Sequence, residues 1–307
     1  MYKSIITFLF AAFFLASTVP AYAETAPIRF AVPPWSGAMV KAAVATQVLD
    51  ALGYKTSTVP MEASEVYKAL DAGEVDVYMS SWLPTQEMLL EPLLKTKNVH
   101  VAGVNVARAH TGLCVPGYAH AKGVENLEDL AKHADKFNST IYTSEPGSGM
   151  YILVDELIKK NTDGLGSWKQ QGAPVDDMLK DVISAFKEKK WVVFTCWEPH
   201  WMNITLDMRY LKSMGGAPKL IAESTINTLI RADIKTANPD AYLFLSRFNV
   251  SKLTQGKWTY DISLKEQDVN ETASAWIKGN LDTVRQWLGN IKAANGDLAS
   301  DVIKTKF

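Results

Sequence analysis

The chemistry-bearing residues of this chain crowd into the stretch Trp197-Glu-Pro-His-Trp201. Glu198 and His200 flank Pro199 and have the types of an acid/base pair. Support for catalysis ends there. The five histidines (100, 110, 120, 133 and 200) form no pair at helical ligand spacing, and neither cysteine has the spacing of a metal site. No Gly-x-Ser-x-Gly nucleophile elbow occurs. The sequence nominates no catalytic residue, no metal and no cofactor. It offers ring faces instead. Trp35 and Trp82 follow short apolar segments much as Trp197 does, and His110 adds an imidazole.

Several ring faces in one place suit a cation that water holds poorly. A trimethylammonium head has no N–H to donate, so hydrogen-bonding side chains gain nothing from it. Its diffuse charge is drawn to ring faces by roughly 0.5–2 kcal/mol per ring once water is excluded. A handful of rings thus supplies a few kcal/mol, whereas micromolar binding needs about 8 kcal/mol in all. Methyl burial and a partner for any carboxylate must supply the rest. Taken singly, each ring has a plainer explanation: Trp35 as a hydrophobic staple at a helix entry, Trp82 as a ring exposed or packed between lobes. Convergence separates the two readings.

Polar partners are in reach. Trp35 immediately precedes a helix start, where N–H groups without carbonyl partners hold anions, so Gly37, Ala38 and Met39 can donate to a carboxylate. His200 reads as a hydrogen-bond donor. The loop Ser144-Glu-Pro-Gly-Ser-Gly149 lacks the Lys-Ser/Thr of a phosphate-binding P-loop but can supply backbone donors at the helix that follows, with Ser148 among them.

The elements that must position these groups alternate. Residues 28–32, 54–59 and 75–79 read as strands separated by helices over 38–52 and 63–72, which predicts a parallel α/β unit. Trp35 and Trp82 lie at its strand ends. A second unit runs from a strand at 139–143 through helices at 150–160 and 175–189 to an apolar strand over 191–196 rich in β-branched and aromatic residues. Pro199 then forces the chain out of the sheet and delivers Trp197 to a strand end, where open α/β sheets hold ligands. Residues 220–232 read as a return strand, and Trp276 and Trp287 of the helical tail as core. Two α/β lobes with a cleft between them follow, with crossings near 104–108 and 217–222.

At 307 residues, 47% hydrophobic and with a net charge of -1, the chain is long enough for two lobes and has no basic stripe for nucleic acid. Lys3, an apolar run over 5–16 and Ala21-Tyr-Ala23 form an export signal, so the mature chain is expected to start near Glu24 as a soluble protein without membrane insertion. Export would permit a disulfide between Cys114 and Cys196. Both, however, sit in apolar strand-like runs where buried free thiols are common, and free thiols are the expectation.

The segments Ala51-Leu-Gly-Tyr54, Val75-Asp-Val-Tyr-Met-Ser-Ser-Trp-Leu-Pro-Thr85, Asp135-Lys-Phe137, Glu145-Pro-Gly-Ser-Gly149 and Thr195-Cys-Trp-Glu-Pro-His-Trp201 carry a resemblance. Over roughly 27–250 the chain resembles the periplasmic substrate-binding proteins of glycine betaine/proline betaine/choline ABC importers. The resemblance implies a hinged, two-lobed α/β fold of the type II-like periplasmic binding class, with the ligand in the interlobe cleft. It implies a signal peptide at 1–23, one lobe from 24–106 and 220–307, and the other from 107–219. The aromatic box would be Trp35, Trp82 and Trp197, with His110 where choline-selective relatives have Tyr. Polar contacts would come from Gly37, Ala38, His200 and Ser148, the last replacing a box Trp of some relatives. Choline binders place an acid where Gly37 stands, so a zwitterion is expected, glycine betaine first and carnitine or proline betaine next. The implied setting is a periplasmic monomer serving an ABC permease and its ATPase. A choline-selective binder, an exported enzyme acting on a choline-type compound through Glu198 and His200, and a sensory module are the alternatives.

Overall fold

A computed structural model describes residues 27–307; the signal segment expected at 1–23 lies outside the described residues. Strands β1 (Ile28–Val32), β2 (Thr56–Pro60) and β3 (Val77–Leu83) pair in parallel with β1 between the other two. Helices Ser36–Ala51 and Ala63–Ala72 connect them. Each helix runs into a left-handed glycine, Gly53 at φ 85° and Gly73 at φ 71°, which releases the chain for the next strand.

Six further strands complete one curled sheet: β4 (Val99–Pro116), β5 (Thr140–Thr143), β6 (Lys169–Gly172), β7 (Val193–Glu198), β8 (Met208–Tyr210) and β9 (Ala222–Arg231). Their order is β2-β1-β3-β9-β4-β7-β5-β6, with β8 against β4. The first part of β4 pairs antiparallel with β9, and its last residues pair with β7 and β8. It is therefore a single strand shared by both halves of the sheet. Between Val101 and Ala109 its register with β9 shifts three times, and Arg108 adopts φ 52°. Such bulges bend a strand and tighten its twist.

Four buried clusters flank the sheet in two pairs. Phe30, Val44, Leu49, Phe244 and Trp287 pack on one side of β1–β3, and Tyr67, Leu70, Tyr78 and Leu90 on the other. Around β5–β7, Phe137, Ile141, Val154 and Trp168 fill one side, and Met178, Phe194 and Trp201 the other. Buried members of the first pair come from residues up to 109 and from 226 onward; those of the second lie within 113–220. Two lobes, each layered about its own part of the sheet, result. Trp276 and Trp287 stack at 5.6 Å against the first lobe's core. No helix among the described residues is long and apolar enough to cross a membrane.

The expectation of free thiols is corrected. Cys114 and Cys196 form a disulfide with their Cα atoms 5.8 Å apart, inside the normal range. Gly112 of β4 lies opposite Cys196 of β7, so Cys114 is the diagonal neighbour on the same face. The two residues are 82 apart in sequence, and only the strand pairing brings them together.

Candidate functional site

The ends of β1, β3 and β7 and the loop after β5 converge on one cavity between the lobes. Trp35 and Trp82 line it from the first lobe, Trp197 from the second. Each indole is held by its surroundings. The chain turns at Pro34, where the Trp35 N–H donates to the Pro33 carbonyl at 2.7 Å, and Trp35 is the N-cap of helix Ser36–Ala51. Its Nε1 donates to Glu145 Oε1 of the other lobe at 3.0 Å. Trp82 is clamped through its backbone: its N–H donates to Gln86 Oε1 at 2.7 Å, and its carbonyl accepts from the Gln86 N–H at 2.7 Å. Trp197 stands near the end of β7, where its carbonyl accepts from Asn203 Nδ2 at 2.7 Å, and Asn203 Oδ1 accepts from Tyr210 at 2.9 Å.

The polar groups are placed with equal definition. His200 lines the cavity, is buried, and meets the Trp197 ring edge-on at 5.2 Å. Burial pushes its pKa down to about 3, so the imidazole is neutral at neutral pH. The Met202 N–H donates to His200 Nδ1 at 3.4 Å, which leaves the proton on Nε2 and makes that atom the ring's donor. Glu145 is shifted the other way: burial raises its carboxyl pKa, against the lowering effect of its own loop's backbone N–H and of the Trp35 indole.

Gly37, Ala38 and Ser148 also line the cavity, but not all are free to donate to a ligand. The Ala38 and Met39 N–H groups both donate to the Trp35 carbonyl, at 2.8 and 2.9 Å. That closes the first turn and corrects the assignment of a carboxylate to Ala38. The Gly37 N–H, one residue earlier, has no carbonyl four residues back within the helix and remains available. Ser148 serves as a helix cap: its Oγ accepts from the Tyr151 N–H at 3.3 Å and shares a hydrogen bond with Ser144 Oγ at 2.7 Å.

His110 is not brought to the cavity. On β4 it is the residue next to Thr111, and successive side chains of a strand face opposite ways. Thr111 pairs with Trp197 and lines the cavity with it, while His110 pairs with Glu198 on the reverse face. There its ring packs edge-on against Tyr210 at 4.9 Å. The parity of one strand excludes it.

Among the lining residues that sequence reasoning passed over are Gln86, Thr111, Gln255 and Thr259. Gln86 was within reach from its place four residues after Trp82, whereas Thr111 faces the cavity only through the pairing of β4 with β7. Gln255 and Thr259 come from helix Lys252–Ser263, which packs against helix Ser36–Ala51. Nothing near them in sequence marks that helix as part of a site.

Comparison with known proteins identifies the family. A family model described as the substrate binding domain of ABC-type glycine betaine transport systems matches residues 26–279. The glycine betaine/carnitine transport binding protein GbuC of Listeria monocytogenes is 28% identical over 166 residues, which is 53% of this chain and about half of that protein, 53%. Among solved structures, an ABC-transporter choline binding protein in complex with choline superposes with a TM-score of 0.86 at 27% identity, over 91% of this chain and 97% of that one. Lactococcal OpuAC, closed on glycine betaine, gives 0.78 at 28% identity, over 86% of this chain and 100% of that one. GbuC and the choline binding protein are binding proteins of transporters, and the chain shares the two-lobed α/β architecture of the solved structures. The chain belongs to the family of substrate-binding domains of ABC-type glycine betaine transport systems.

Proposed function

We propose that the chain captures a trimethylammonium carboxylate in the interlobe cavity and delivers it to the permease of an ABC importer. The observation that carries this reading is the arrival of three indoles, Trp35 and Trp82 from one lobe and Trp197 from the other, at one cavity. The rings enclose the ammonium. Each adds roughly 0.5–2 kcal/mol, and burial of the methyl groups adds more. The carboxylate meets the Gly37 N–H at the positive end of helix Ser36–Ala51 and the Nε2–H of neutral His200. Glycine betaine is the smallest ligand that fills this description.

The lobes close about the two crossings, bending at 104–108 and 217–222, with export through the segment at 1–23 placing the protein in the periplasm. Glu198 has its carboxylate engaged by Lys252 at 2.6 Å, which argues against a role as acid or base. Calorimetric titration with glycine betaine, proline betaine, carnitine and choline tests the reading. At least one of the three carboxylates should bind at micromolar levels and tighter than choline, while glycine, with an ammonium that water solvates well, should give no heat. Silence from all four would overturn it.

A further inference from the structure

Helix Lys252–Ser263 is anchored in the first lobe, where Trp258 is buried in the core. Two other stripes of the helix look outward from that core. Gln255 and Thr259 line the cavity. Lys252, Gly256 and Tyr260 are spaced four residues apart, so they share one face, and that face meets the second lobe. Lys252 Nζ bridges Glu198 at 2.6 Å. A Cβ built on Gly256 would stand 3.8 Å from Ile204 Cδ1, an ordinary van der Waals distance. Tyr260 packs against the second lobe's cluster of Met178, Phe194, Trp201 and Met202.

The three contacts differ in weight. Both partners of the ion pair are more than a third exposed, so water and salt screen it. Gly256 has no side chain to present. The Tyr260 ring supplies the apolar contact, and it is set in place beforehand: Lys265 Nζ lies over it at 5.1 Å from the centroid, and the buried Asp261 accepts from Lys265 at 3.0 Å. Its target is tied to the site. Trp201 and Met202 directly follow His200, in the turn that also carries Trp197. Neither Tyr260 nor Ile204 lines the cavity.

We infer that Tyr260 is a positioning residue, a latch that holds the lobes together from outside the cavity by packing on the turn that carries Trp197 and His200. This rests on the quaternary-ammonium reading for the ligand and adds the element that retains it. A ligand enters an open cleft, where the latch is unmade. Tyr260 therefore leaves the encounter alone and acts on release. Because it touches no ligand, its effect is the same factor for every ligand the cavity accepts.

Stopped-flow tryptophan fluorescence on the mature protein, with glycine betaine and with proline betaine, gives association and release rates. Tyr260→Ala is expected to release both about tenfold faster, by a common factor, with association changed less than about twofold. Tyr260→Phe keeps the ring and should restore the wild-type release rate. Gly256→Ala adds a methyl that meets Ile204 in the closed form alone, and should slow release about two- to threefold. Thermal unfolding without ligand establishes that the variants are folded; if Tyr260→Ala is not, Gly256→Ala decides. Release at the wild-type rate from Tyr260→Ala, a loss carried by association instead, or no slowing in Gly256→Ala would overturn the latch and leave the quaternary-ammonium reading standing. If wild type binds none of glycine betaine, proline betaine, carnitine and choline, both readings fall together.

Discussion

His200 sits where two requirements meet. It must be buried to stand beside Trp197, and burial of an imidazole favours the neutral form. Neutrality with Nδ1 occupied by the Met202 N–H gives a fixed Nε2 donor, so the site needs no titration to receive a carboxylate. The native state resists the proton down to pH about 3, whereas the unfolded chain takes it up near 6.5. The stabilising contribution is therefore fully present above pH 6.5 and is lost as pH falls from there toward 3. Thermal unfolding followed from pH 7 to 5 should show the loss, and His200→Gln should show less of it; an unchanged slope would contradict the assignment. The indoles yield a second expectation. Trp82→Ala and Trp197→Ala should each weaken ligand binding by about 2- to 30-fold, as calorimetry would read. These rings were legible in the sequence because each ends an apolar strand beside a proline or a helix start. Gly37 and His200 were legible from the same turns. His110 was not, since its exclusion depends on which face of β4 it occupies, and parity is set by pairing with a strand far away in sequence.

At the level of elements, the local units were readable and the long-range pairings were not. The alternation of strand and helix over 28–83 follows from apolar periodicity and the glycines that end the helices. The eighteen-residue length of β4 does not, because its bulges interrupt any simple pattern. Nor does the partnership of β4 with β7, which is why Cys114 and Cys196 read as separate thiols. Their disulfide closes a long loop within the second lobe. Its removal in a Cys114→Ala, Cys196→Ala double variant should lower unfolding stability by about 2–4 kcal/mol, measured as a reduced urea midpoint. A midpoint equal to wild type would mean the crosslink contributes nothing. Helix Lys252–Ser263 is the element that local reasoning had no means to place at the site, because its contribution depends on packing against helix Ser36–Ala51.

Across the whole molecule, the cleft is spanned by a few polar contacts. Lys252 of the first lobe bridges Glu198 of the second at 2.6 Å, with both side chains more than a third exposed. A pair in that setting contributes about 0–1 kcal/mol and is screened by salt. Lys252→Ala should therefore weaken binding by no more than about fivefold, and by less at high ionic strength. The contact between Trp35 and Glu145 is more deeply buried. Burial between the lobes raises the Glu145 pKa above its ordinary value, with Glu62 nearby adding to the rise and the buried phenol of Tyr78 close enough to feel its charge. An open cleft would return the carboxyl toward water and toward its ordinary value of 4.5. Closure thus favours the protonated form. Affinity should rise as pH falls from neutral through the raised pKa and level off below the ordinary one, a trend that Glu145→Gln should flatten. Affinity that declines over that range in wild type, or keeps its slope in the variant, would contradict this.

All of these contacts matter to function only if the rings from the two lobes meet on one ligand. A crystal structure of the protein with a bound trimethylammonium compound measures that directly. The account predicts the ammonium nitrogen within ~6 Å of the ring centroids of Trp35, Trp82 and Trp197 together. A nitrogen seated elsewhere, or touching the rings of one lobe alone, would contradict it.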